Sequence, residues 1–200
     1  MALSNYSELR TSVINRSGRN DSVTSFDDYV AVTEEAIRKH LRVRFMEGRK
    51  TLSGGSAFID LPDDFMGVRR IIPVYQGVYY KELTPRDPNA MARSTNQGIP
   101  GNYTITSQLE LDCVLLGQLE FQYYKKPTGL SASNTTNDIL TNYPSVYLYG
   151  CLADLFNDAG DEEEELKYRA LFSAAVDGAN EDYLNSMGSG RASQVEGSTP

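Results

Sequence analysis

The chain has 200 residues, with 27 Asp and Glu against 19 Lys and Arg and a formal net charge of −8. That balance excludes a protein that grips nucleic acid over its whole surface, since such grip comes from cations neutralising phosphates. The length allows one domain with appendages or two small domains sharing a core.

Thirteen Tyr, no Trp and 16 Gly point to much strand and loop, with amphipathic rings on hand for interfaces. No apolar run approaches the ~20 residues that span a bilayer. Residues 1–16 are polar and helix-like, not a signal peptide, so a cytoplasm-like setting without a membrane is expected.

Residues 4–16 read as a first helix, capped by Ser4 or Asn5, with Tyr6, Leu9 and Val13 as its apolar stripe. After a turn at 17–21, Ser25 caps a longer helix reaching about residue 47. Phe26, Val30, Thr33, Ile37, Leu41 and Phe45 share one face of it, and Asp27 and Asp28 occupy the first turn, where the dipole favours acids. Its last turns and exit are basic, with Arg38, Lys39, His40, Arg42, Arg44, Arg49 and Lys50.

From residue 51 the period changes to two, and 51–126 reads as about six short strands, a small sheet or partial barrel with one buried face. Gln76-Gly77 is a hairpin turn, and 85–93 reads as a helical insertion. Residues 127–141, rich in Ser, Thr and Asn, read as a linker. Over 142–187 a helical hairpin follows. Leu148, Cys151, Leu152, Leu155 and Ala159 line its first helix, Gly160 stops it, and Asp161 with Glu164 caps the second. That second helix carries Tyr168, Leu171, Phe172, Ala175, Val176, Ala179 and Tyr183 on one side, with Glu163–Lys167 and Glu165–Arg169 as favourable pairs. At about 26 residues, roughly 39 Å, it exceeds what a hairpin buries, so a neighbouring subunit is expected to cover the rest. Residues 188–200 hold too little apolar surface to fold alone.

The expected fold is therefore α+β: an antiparallel helical bundle (1–50 and 142–187) with a β insertion (51–126), a linker (127–141) and an extended C-terminal arm (188–200). No chemistry is legible in it. His40 has no Ser or Cys motif beside it, no phosphate cradle or zinc spacing is present, and Cys113 and Cys151 read as buried free thiols. No cofactor or metal is expected, because the consecutive carboxylates Glu162, Glu163, Glu164 and Glu165 point around a helix axis instead of converging. The acidic block and the basic block (Arg38, Arg42, Arg44) are either solvated faces or two sides of a subunit boundary.

Five segments, in order, resemble the head-to-tail adaptor (connector) proteins of tailed bacteriophages. They are Tyr6-Ser-Glu-Leu9, Arg38-Lys-His-Leu-Arg-Val-Arg44, Asp60-Leu-Pro-Asp-Asp-Phe65, Tyr123-Tyr-Lys-Lys-Pro-Thr-Gly-Leu130 and Leu140-Thr-Asn-Tyr-Pro-Ser-Val-Tyr-Leu-Tyr-Gly150. The resemblance implies a structural protein of the virion neck, assembled in the host cytoplasm, with twelve copies in a ring beneath the portal protein. Such a ring docks a tail tube or nozzle protein and continues the channel for viral DNA, which passes without sequence-specific binding. It also implies a portal-binding arm, here with Arg191, Gln194, Val195, Glu196 and Pro200; within such a ring the charged blocks and Tyr183 are the expected subunit interface. A head-closure or tail-completion protein of the same neck is the alternative. An enzyme lacks its acid–base pair here, and a nucleic-acid-binding module its basic charge.

Overall fold

The computed structural model describes residues 3–19 and 25–188. Its packing separates Met46–Lys126 from a second unit made of the two flanking segments. The fold is mixed α+β, and among the described residues no sheet closes into a barrel.

The helical unit holds α1 (Tyr6–Ser17), α2 (Phe26–His40), α3 (Asp138–Asn142), α4 (Pro144–Asp158) and α5 (Glu162–Gly188). α4 is its centre, packed against each of the other four. Val146, Tyr147, Leu148, Cys151, Leu152, Leu155 and Phe156 bury it nearly all round, which suits a helix only when neighbours cover every side. Pro144 stands in its first turn, where an N–H would have no helical partner. Gly160, left-handed, ends the connection, and α5 folds back with Tyr168 stacked on Phe156 at 5.5 Å.

Two expectations for this unit are corrected. α2 stops at His40 instead of running to about residue 47, and Phe45 is exposed. The cause lies on α5: Asn180 donates to His40 O (3.0 Å) and accepts from Arg42 N (2.7 Å), supplying partners for both sides of the break. Leu41 is then extended, and Leu41 and Val43 are buried on alternate positions. The stretch read as a linker contains α3, whose cap Asn137 accepts from Leu140 N at 2.8 Å.

In the other unit, β1 (Glu47–Ser53), β10 (Gln118–Lys125), β3 (Phe65–Tyr75) and β4 (Val78–Tyr79) form an antiparallel sheet in that order. A second sheet runs β2 (Phe58–Ile59), β8 (Leu109–Leu111), β7 (Asn102–Ile105), β5 (Thr84–Pro85), and β6 (Gln97–Gly98) pairs with β9 (Val114–Leu115). Leu52, Ile71, Leu119 and Phe121 of the first sheet share a core with Leu109 and Leu111 of the second and Leu115 of the third. The β insertion is thus built of three small sheets, since most strands span two to four residues and do not wrap into a barrel. Residues 85–93 are not helical. Thr84 N donates to Gly101 O (3.0 Å) and Arg86 N to Tyr103 O (2.8 Å), holding the segment extended, and Pro88 disfavours helix at Asp87.

Candidate assembly interface

α5 begins at a dense negative site. Asp161 caps it, Oδ1 accepting from Glu164 N at 3.3 Å, and four glutamates fill the first turn, where the exposed N–H groups favour them. Lys167 bonds Glu164 (2.8 Å) in place of the Glu163 expected, while Arg169 bonds Glu165 (2.6 Å) and lies 3.8 Å from Asp154. Glu164 and Glu165 are thereby engaged within the chain. Glu162 and Glu163 are exposed and make no hydrogen bond or close ion pair among the described residues, though the charge of Glu163 is felt by Lys167.

The basic block is broken up by the end of α2. The Arg42 guanidinium turns back to donate to Arg38 O (3.0 Å) and Leu41 O (2.7 Å), satisfying the carbonyls that a helix end leaves open. Lys39 pairs with Glu35 one turn back, and Arg49, which belongs to the strand unit, lies 3.4 Å from Glu120. Arg38 and Arg44 have no ion-pair partner among the described residues. Tyr183, expected at a subunit boundary, is buried in its own chain, 7% exposed. Arg191, Gln194, Val195, Glu196 and Pro200 lie outside the described residues.

α2 and α5 run the same way. Thr33 and Arg169 both reach Asp154, and seven residues later His40 meets Asn180. The acidic start of α5 and the basic end of α2 therefore lie at opposite ends of the bundle, about 24 Å apart by the rise from Glu164 to Asn180. The outer side of α5 is uncovered between them: Leu166 is 68% and Leu184 60% exposed, with Ala170, Ala174 and Asp177 exposed between. That uncovered stripe runs from Leu166 to Leu184 along a helix of 27 residues, and the packing of the helical unit does not account for it.

His40 shares a groove of about 340 Å³ with Arg169, Ser173 and Asp177. These are the residue types of an acyl-transfer triad, yet no hydrogen bond joins them, and a nucleophile without a bonded base is not activated. No group of His, Cys, Asp or Glu among the described residues is placed to hold a metal. Cys151 is an inert thiol, since complete burial pushes its pKa up to about 12.

Sequence patterns did not show the polar links that hold the bundle in register. Glu34 accepts from Leu130 N (2.6 Å) and from the Tyr147 hydroxyl (3.2 Å), which itself accepts from Asn137 Nδ2 (2.7 Å). Only the position of Glu34 beside the apolar stripe of α2 hinted at it. In the strand unit the Asp60-to-Phe65 motif is explained: Asp64 accepts from Tyr123 OH (3.0 Å) and from Lys126 N (2.6 Å), joining the start of β3 to the exit of β10. The recurring motifs are thus packing and turn devices. The family model described as SU10 adaptor protein matches residues 4–195. No curated protein matches the chain.

Proposed function

The chain belongs to the SU10 adaptor protein family, and on that premise, which makes it a structural head-to-tail connector in phage assembly and not an enzyme, we propose how it acts. It works as a ring at the virion neck, bridging portal and tail. We assign it twelve copies, the portal protein above, a tail tube or nozzle protein below, and addition to the particle in the host cytoplasm. The uncovered outer side of α5 carries this reading, since twenty-seven helical residues with Leu166 and Leu184 in water have a reason to exist where a second copy covers them.

Arg38 and Arg44 of one copy face Glu162 and Glu163 of the next. Because these charges stand about 24 Å apart along the bundle, the contact requires neighbours staggered by that distance, with helices inclined to the ring axis. The arm of residues 188–200 docks on the portal, with Arg191 and Glu196 as charged anchors and Val195 as a small apolar plug. Passing DNA meets a protein of net charge −8, which repels phosphates and lets the duplex slide.

Electron microscopy of the purified chain, alone and mixed with portal rings, tests the reading. A twelvefold ring on the portal is expected, with monomers in its absence, and portal rings that stay bare would overturn it. Comparing occupancy for the full chain and a chain ending at Met187 tests the arm, and equal occupancy would remove it.

A further inference from the structure

The strand unit carries an exposed apolar hairpin and an apolar slot that no described residue fills. β3 and β4 meet in a tight turn with Gln76 (φ 51°) and Gly77 (φ 78°) both left-handed, the type I′ geometry that suits a two-residue hairpin. Just past it Val78 is 55%, Tyr79 64% and Tyr80 40% exposed. Successive strand residues face opposite ways, so Tyr79 is on one face and Val78 and Tyr80 on the other. A hairpin that merely lies on its own domain keeps one polar face. Here both faces are apolar, as suits a tip that enters a two-walled slot.

Such a slot of about 350 Å³ is lined by Phe65 and Val68 of β3 and by Tyr103 and Ile105 of β7, with Arg86 beside it. Along β3 the hairpin return covers only the far half, through Tyr80 N to Pro73 O and Leu83 N to Ile71 O. Toward Phe65 the edge of β3 away from β10 pairs with no strand among the described residues, and the space above Gly67 is open. An unpaired edge between apolar walls is a site for an added strand.

We propose that the Val78, Tyr79 and Tyr80 tip of one copy enters the slot of the next copy in the ring, adding β4 to the free edge of β3. The tip cannot fill its own slot, because Gln76 and Val68 lie eight residues apart on one extended segment, about 26 Å. Tip and slot are different patches present once on every copy. A contact between unlike patches propagates head to tail and makes a ring where its rotation closes, as on a portal template, whereas a self-complementary patch stops at a dimer. Charge agrees: exposed Lys81 follows the tip, and exposed Asp63 stands two residues before Phe65 at the slot.

This inference rests on the ring reading, and the test separates the two. A full-length chain carrying Tyr79→Cys, Gly67→Cys and Cys113→Ser is assembled on portal rings, oxidised and run on a denaturing gel. Gly67 accepts a side chain, since an added Cβ meets nothing within 4 Å and its φ is ordinary. A ladder of adaptor multimers is expected, absent from chains that carry only one of the two introduced cysteines. Rings visible by microscopy with only monomer on the gel would overturn the hairpin contact and leave the ring reading standing. Cross-linking of Tyr79→Cys to the portal would overturn it in favour of another occupant, and absence of any ring would overturn both. Independently, Tyr79→Ser with Tyr80→Ser should lower ring formation ~10-fold or more. The monomer's unfolding should stay the same, and undiminished assembly of this variant would also overturn the proposal.

Discussion

Gly150 of α4 lies against Thr33 of α2 so closely that an added Cβ would stand 2.8 Å from Thr33 Oγ1 and nearer still to its Cγ2. Thr33 is 1% exposed, and as a β-branched residue it has little rotamer freedom to yield. Gly150→Ala should therefore destabilise the monomer by about 1–3 kcal/mol. Thr33→Ala in the same chain should recover part of that loss, and chemical denaturation of the double-mutant cycle measures the coupling. Additive effects would show that the two helices do not depend on this approach.

Tyr147→Phe removes the hydroxyl that connects Glu34 to Asn137 inside the bundle. One bond of the half-buried Asn137 amide is then lost, while its bond to Thr128 O remains, at a cost of about 0.5–1.5 kcal/mol. A fall in Tm is expected, with the family of helices intact by circular dichroism. An unchanged Tm would mean that water replaces the hydroxyl.

Arg38→Glu with Arg44→Glu should abolish ring formation on the portal while costing the monomer only the unfavourable charge in the last turn of α2, about 0.3–1 kcal/mol. Adding Glu162→Arg and Glu163→Arg should restore assembly, which a general charge effect would not do. Arg42→Glu should behave differently. It puts an acid beside the Arg38 and Leu41 carbonyls and should cost the monomer about 1 kcal/mol, read by thermal unfolding.

The Tyr6 hydroxyl donates to Asp27, and burial first, then that bond and the nearby carboxylate charge, push its pKa up to about 12. The fold thus favours the neutral phenol. Its contribution is complete below the ordinary tyrosine value of about 10 and is lost as pH rises through about 12. Wild type should exceed Tyr6→Phe by about 1–3 kcal/mol at pH 8. The gap should close between pH 10 and about 12, and denaturant titrations at both ends check it; a gap independent of pH would show that the hydroxyl does not titrate with folding.

Local signals were sufficient for much of this molecule. The 3.6-residue stripe on Tyr6, Leu9 and Val13, the Pro144 start, the Gly160 stop and the Gln76-Gly77 turn each act within a few residues, so α1, α4, the start of α5 and the hairpin were legible in the sequence. The order of those local devices also carried the family. What the sequence could not decide was where a competing long-range partner wins. The pattern of α2 continues through Phe45, yet the amide of Asn180, 140 positions after His40, takes the His40 carbonyl and the Arg42 N–H and ends the helix there. Residues 85–93 have helical composition, yet β7 holds Thr84 and Arg86 extended. The charged blocks were visible as charges, but the chain's own pairs Lys167–Glu164 and Arg169–Glu165, and the return of Arg42 onto its own helix, decide which charges remain for a neighbour. Periodicity reports the environment a segment wants from its neighbours in sequence; hydrogen bonds and ion pairs made across the fold depend on which groups packing brings together, and a single chain read along its length does not encode that locally.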